Sequence, residues 1–131
     1  MKSDPEFLTF AEVLEIHNYQ IEHFGGASGL RDIELLKSAM GMPSATFGGT
    51  FLHPTIYEMA AAYLFHLIEN HPFVDGNKRV GAMATLIFLD LNGIDFDASD
   101  EEFTTMVLRV AAGKMLKAEI TLFLKNHCSG R

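Results

Sequence analysis

Positive charge is scarce in this sequence: 10 Lys and Arg stand against 17 Asp and Glu, for a formal net charge of -7 and a pI of about 5.2. A chain of that sign repels a phosphate backbone, so direct nucleic-acid binding is not expected. Cysteine is down to Cys128 alone, which excludes an internal disulfide and offers no metal-site spacing. Long apolar runs are missing too. The most apolar stretch, Met59 to Ile68, is broken by His66 and falls far short of the roughly 20 residues of a membrane span, so no membrane partner is expected. The amino end, Met1-Lys-Ser-Asp-Pro-Glu, has two acids and a proline where a secretory signal needs a basic start and an apolar run. Residues 1–7 read as a leader or a disordered end, and the location expected for the chain is the cytoplasm. There is no internal repeat, no low-complexity tract and no Gly-x-x-x-x-Gly-Lys-(Ser/Thr) phosphate loop.

What is present is material for one compact domain over 1–131: apolar residues make up 48% and charged residues 21%, close to ordinary globular proportions. Helical periodicity dominates. Thr9 and Glu12 are spaced as a capping box, and Phe10, Val13, Leu14, His17, Ile21 and Phe24 recur at helical spacing until Gly25-Gly26. Arg31 to Met40 repeats the pattern and ends before Pro43. Thr-Phe on both sides of Gly48-Gly49 predicts a small β-hairpin. Thr55 and Glu58 cap a helix over Ile56 to Asn70 that is apolar on nearly every side; Arg79 to Asn92 is similar and closes at Gly93. Ser99 with Glu102 opens a fifth helix, and a sixth runs from about Ala118 to His127. The fold class is all-α: about six helices around two central ones, with a small hairpin.

The connector between those central helices, His71 to Lys78, is unusually rich in chemistry. With the following Arg79 it gathers an imidazole, a carboxylate, a carboxamide, an ammonium and a guanidinium within nine residues. Pro72 biases His71 away from helical angles, which ends one helix and presents the imidazole there. The next helix starts near Asn77, where backbone N–H groups without intrahelical partners, the positive end of the helix dipole, Lys78 and Arg79 make a site for a di- or triphosphate. Asp75 would repel bare phosphate but becomes useful as a ligand of Mg²⁺ bridging phosphate oxygens. ATP with Mg²⁺ satisfies every group in the segment. Taken singly, each residue has a plainer reading: His71 as a helix-end polar group, Asp75 as a turn former, Lys78 and Arg79 as solvated charges. His17, His23, His53 and His127 read as surface or packing residues, and His66 and His71, five apart, lack the spacing of a zinc pair.

His71-Pro-Phe-Val-Asp-Gly-Asn-Lys-Arg79 resembles the Fic motif, His-x-Phe-x-(Asp/Glu)-Gly-Asn-x-Arg, in all six specified types. Gly29-Leu-Arg-Asp, Phe47-Gly-Gly, Pro54-Thr and Phe88-Leu-Asp-Leu-Asn-Gly93 extend the resemblance towards the Doc (death-on-curing) toxins of the Fic/Doc family. The resemblance implies the Fic fold, with His71 as general base towards a target hydroxyl, Asp75 on Mg²⁺, and Asn77 and Arg79 on phosphates beside the Gly76 backbone. Thr46, Phe47, Gly48, Gly49, Thr50 and Phe51 resemble the flap on which Fic enzymes align a target as an added strand. AMP-transferring Fic enzymes usually have glycine where Lys78 stands. Doc toxins share the lysine, which implies ATP bound with its γ-phosphate towards the histidine and hence phosphorylation of a Thr or Ser hydroxyl. The implied target is elongation factor Tu, with arrest of translation. The alternatives are AMP transfer from the same site and a catalytically silent nucleotide- or antitoxin-binding module. No inhibitory (Ser/Thr)-x-x-x-Glu-(Gly/Asn) helix is visible, since Phe65 stands where Glu69-Asn70 would need a hydroxyl, so the implied restraint is a separate antitoxin acting in trans.

Overall fold

The computed structural model describes residues 4–131. Its elements are α1 (Phe10–Phe24), α2 (Ile33–Gly41), β1 (Thr46–Phe47), β2 (Thr50–Phe51), α3 (Ile56–Asn70), α4 (Asn77–Leu91), β3 (Ile94–Phe96), α5 (Asp100–Ala111), α6 (Lys117–Asn126) and β4 (Cys128–Gly130). Residues 1–3 of the expected leader lie outside the described residues. From residue 6 the chain is tied down: the Glu6 N–H donates to Asn92 Oδ1 at 2.8 Å, and the Phe7 ring stacks 5.7 Å from Phe88. No helix among the described residues is long and apolar enough to cross a membrane.

Helices α3 and α4 form the antiparallel centre, as their all-round apolarity predicts. Every other helix contributes to the core they organise: Val13 and Ile16 from α1, Leu36 and Ala39 from α2, Met106 and Val110 from α5, Ile120 and Leu124 from α6. At Gly81 the helices come so close that a Cβ would sit 3.3 Å from Ile68 Cγ1 and 3.4 Å from Leu64 Cδ1. One turn on, the buried Thr85 hydroxyl donates to the Gly81 carbonyl at 2.8 Å.

Capping fixes the ends. The Thr9–Glu12 and Ser99–Glu102 capping boxes both form, and Thr55 accepts from the Glu58 N–H. Two findings depart from the sequence reading. Helix α2 starts at Ile33 and not Arg31, because Asp32 is its N-cap, accepting from the Leu35 N–H, and Arg31 is drawn off to another contact. A second small sheet, β3 antiparallel to β4, accompanies the expected hairpin and pairs Ile94 with Gly130 and Phe96 with Cys128. In the hairpin itself Thr46 faces Phe51 and Phe47 faces Thr50, with Gly48 and Gly49 both at positive φ, as a tight turn of matching twist requires.

Candidate active site

The motif loop is shaped by its own side chains and by a strap from the segment before α2. His71 ends α3 in the left-handed region (φ 50°, ψ 53°), the only positive φ on a non-glycine among the described residues. The proline after it disfavours the right-handed helix, as expected, and the backbone here turns left-handed. Such a residue stores strain of about 1–3 kcal/mol and persists only where its surroundings dictate it. Here they do. Arg31 Nε donates to the His71 carbonyl at 2.7 Å and Nη2 to the Asn70 carbonyl at 3.0 Å. The N–H groups of Arg31 and Asp32 both donate to the Pro72 carbonyl, at 2.7 and 3.0 Å, and the Val74 N–H donates to the Gly29 carbonyl at 3.0 Å.

Buried Phe73 anchors the loop, stacked on the His17 ring at 4.0 Å and 8° between planes. His17, itself buried on α1, places Nε2 2.9 Å from the Asp75 carbonyl. A carbonyl only accepts, so His17 carries its proton on Nε2. Asn77 completes the brace: its Oδ1 accepts from the Phe73 N–H at 2.9 Å and its Nδ2 donates to the Phe73 carbonyl at 3.0 Å. The Asn77 carboxamide thus has a structural task in addition to the phosphate contact expected of it. The Asn77 side chain closes the loop from within, and its second Nδ2 hydrogen and its backbone N–H remain for an anion.

Asp75 is exposed, and its two oxygens accept from the Ala27 N–H at 3.1 Å and the Gly76 N–H at 2.8 Å. Those two bonds, first Ala27 and then Gly76, hold its carboxyl below the ordinary range, with Arg79 and Lys78 adding to the effect. The group is ionised at neutral pH and keeps lone pairs free, which fits a Mg²⁺ ligand, since that ion commonly takes one or two carboxylates together with substrate phosphates. The Ala27 contact depends on Gly26, where a Cβ would meet Asp75 Oδ2 at 2.7 Å.

Gly76 caps α4 at φ 82°, with no side-chain partner for the first-turn N–H groups. Arg79 is steered by α1: Nη1 donates to the Gly25 carbonyl at 3.1 Å, and the guanidinium lies 5.8 Å from the Phe24 ring centre. His71, Asp75, Gly76, Asn77, Lys78 and Arg79 line one cavity of about 330 Å³, with Ile68 and Ala111 as its apolar part. That volume lies in the range of about 300–1,000 Å³ usual for ligand pockets. The six hairpin residues do not line it. Among the described residues no three His, Cys, Asp or Glu side chains gather as a metal cluster.

Arg31, His17 and Gly26 shape this site without belonging to the motif. Their contacts span 39–58 positions in the Arg31 and His17 cases, so no local pattern shows what they touch. What fold and site define together is an all-α domain whose central helix pair presents a histidine, an ionised carboxylate and an open helix N-terminus to one cavity. The family model described as Fic/DOC matches residues 7–89, and the chain belongs to that family. It is 42% identical over 83 residues to "Toxin Doc" of Mycolicibacterium smegmatis, a match covering 60% of this chain and 64% of that protein. It is 28% identical over 105 residues to "Protein kinase doc" of Escherichia phage P1, covering 79% of this chain and 81% of that one.

Proposed function

We propose that this chain is a Doc-type toxin, an ATP-dependent protein kinase that phosphorylates a Thr or Ser hydroxyl of elongation factor Tu and so blocks translation. The observation that carries the reading is the shared cavity, in which His71 and Asp75 stand beside the N-terminus of α4. Similarity to a relative named as a protein kinase supports phosphoryl over AMP transfer, as does Lys78 at the motif's variable position.

In this reading the His71 imidazole takes the proton of the target hydroxyl, whose oxygen bonds to the γ-phosphorus as the bond to the ADP oxygen breaks. A positioned base gives about 10²–10⁴-fold. The N–H groups of Asn77, Lys78 and Arg79 and the Arg79 guanidinium hold phosphate oxygens in place before the reaction, which supplies the larger electrostatic share. Asp75 would hold Mg²⁺, which when bound neutralises charge on those oxygens. The hairpin Thr46–Phe51 would dock the target as an added strand; Phe47 at its tip is 84% exposed.

The restraint would be an antitoxin in trans. A cleft of about 520 Å³ between α1 and α4 is lined by Leu8, Ile16, Met83 and Ile87, with Glu12 and Glu15 beside them. Gln20, 3% exposed, also lines it, and its Nε2 is the one buried side-chain nitrogen or oxygen without a hydrogen-bond partner among the described residues. An amphipathic antitoxin helix with a basic edge would cover the apolar walls and meet the Glu12 and Glu15 carboxylates.

Regulated expression in growing bacteria tests the proposal. Wild type is expected to arrest growth and His71→Ala at equal abundance to leave it normal. Arrest that survives the substitution would overturn the reading.

A further inference from the structure

Outside the cavity, three polar side chains from different elements meet at one point. His53, two residues beyond β2, directs Nδ1 at the Met42 carbonyl at 3.1 Å, so Nδ1 carries the proton and Nε2 has a free lone pair. Lys117 Nζ lies 3.2 Å from that nitrogen and 3.0 Å from Nε2 of His66 on α3. The ammonium has only donors, so both imidazoles accept from it and both are neutral. Lys117 is the first residue of α6, where a cation opposes the helix dipole. Its placement there needs a compensating partner, and the two rings supply it, with the Phe65 ring face 5.7 Å away.

These contacts sit at the root of the hairpin. Met42 and His53 flank it, and just inside them the Leu52 N–H donates to the Ala45 carbonyl at 2.9 Å. Strands of two residues are too short to hold an orientation by themselves. The apolar anchor is Phe51, 6.0 Å from the Phe7 ring, a contact that fixes distance better than angle. The polar anchor is different in kind. It ties the hairpin root through Lys117 to His66, which lies on α3 five residues before His71, the residue that caps that helix.

We propose that His53, Lys117 and His66 act as a positioning device that sets the target-docking hairpin at a fixed attitude to α3, and thereby to His71. The proposal rests on the kinase reading above. Lys117 touches neither nucleotide nor reacting atoms, so its removal should weaken productive docking of the protein target and leave the nucleotide site intact.

The test compares the full-length wild type, Lys117→Met and Lys117→Arg, with elongation factor Tu and Mg²⁺-ATP as substrates and amide exchange at Leu52 as a second readout. Lys117→Met is expected to raise KM for elongation factor Tu about tenfold, with kcat and the KM for ATP changed less than twofold. Lys117→Arg should restore most of the loss, and the Leu52 amide should exchange faster in Lys117→Met while Val80, in the first turn of α4, stays as protected as before. An unchanged KM for elongation factor Tu, a parallel loss in kcat and ATP affinity, or an unaltered Leu52 amide would each overturn the proposal. If the wild type transfers no phosphoryl group, the kinase reading fails by itself and the Leu52 comparison still decides whether the tether exists.

Discussion

Replacing Arg31 with Met keeps the apolar stem and removes the guanidinium that clamps the end of α3. Two hydrogen bonds disappear, to the carbonyls of Asn70 and His71. Because Arg31 is exposed, each is worth about 1 kcal/mol, below the usual range for a charged donor. Against that loss, relaxation of His71 out of its left-handed conformation returns about 1 kcal/mol. The net cost is about 1 kcal/mol, which at an unfolding entropy of about 2.1 cal/mol/K per residue lowers Tm by about 4 °C, read by calorimetry. Activity should suffer far more than stability does. A base displaced by about 1 Å costs about 10²-fold in turnover, so kcat is expected to fall by that order at a temperature where the variant is fully folded. Lys at the same position keeps one donor and should recover part of both effects. Turnover equal to wild type in a folded Arg31→Met would refute the idea that this side chain sets His71 for catalysis.

Three further outcomes follow from the geometry. Gly26→Ala puts a methyl where Asp75 Oδ2 now sits and forces alanine to φ 114°, so the Mg²⁺ concentration for half-maximal activity should rise severalfold in a titration; an unchanged requirement would remove Asp75 from metal binding. Asn77→Ala strips both partners from the buried Phe73 backbone and should cost about 2–4 kcal/mol in urea unfolding, whereas a residue serving phosphate alone would leave stability unchanged. Burial and the Lys117 charge lower the pKa of His66 from 6.5 to about 4 and lower that of His53 as well. Both rings are harder to protonate folded than unfolded, so stability is full above about pH 6.5 and falls as pH drops from there towards 4, by of order 1 kcal/mol once solvent screening of these partly exposed rings is allowed for. Urea midpoints at pH 7.5 and 5 check the sign, and His66→Asn should flatten the difference.

Much of this molecule is legible in the sequence because the signals are local. Thr9 with Glu12, Thr55 with Glu58 and Ser99 with Glu102 mark the starts of three helices, and Gly25 and Gly93 mark where α1 and α4 stop. The pair Gly48-Gly49 foretells the hairpin. The non-local parts do not show. Strands β3 and β4 are three residues each and find one another across more than thirty positions, so neither has a periodicity to read. At the site, the motif identifies His71, Asp75 and the α4 N-terminus as neighbours, and the structure places them on one cavity. What a motif cannot reveal is which way an amide turns: Asn77 faces inward because the Phe73 N–H and carbonyl would otherwise be buried without partners. The contacts of Arg31, His17 and Gly26 are invisible for the same reason as β4, since only the folded chain brings α1 and the Gly29–Asp32 strap to the loop.

Transfer of label from ATP to elongation factor Tu, with the radioactive phosphorus at the γ position in one reaction and the α position in another, tests the central claim most directly. The account predicts γ-label on a hydroxyl side chain of the target, none from α-labelled ATP, and loss of the signal in His71→Ala. Label arriving from the α position would make the cavity an AMP-transfer site and contradict the kinase assignment, and no label from either, with the folded wild type and Mg²⁺ present, would contradict catalysis altogether.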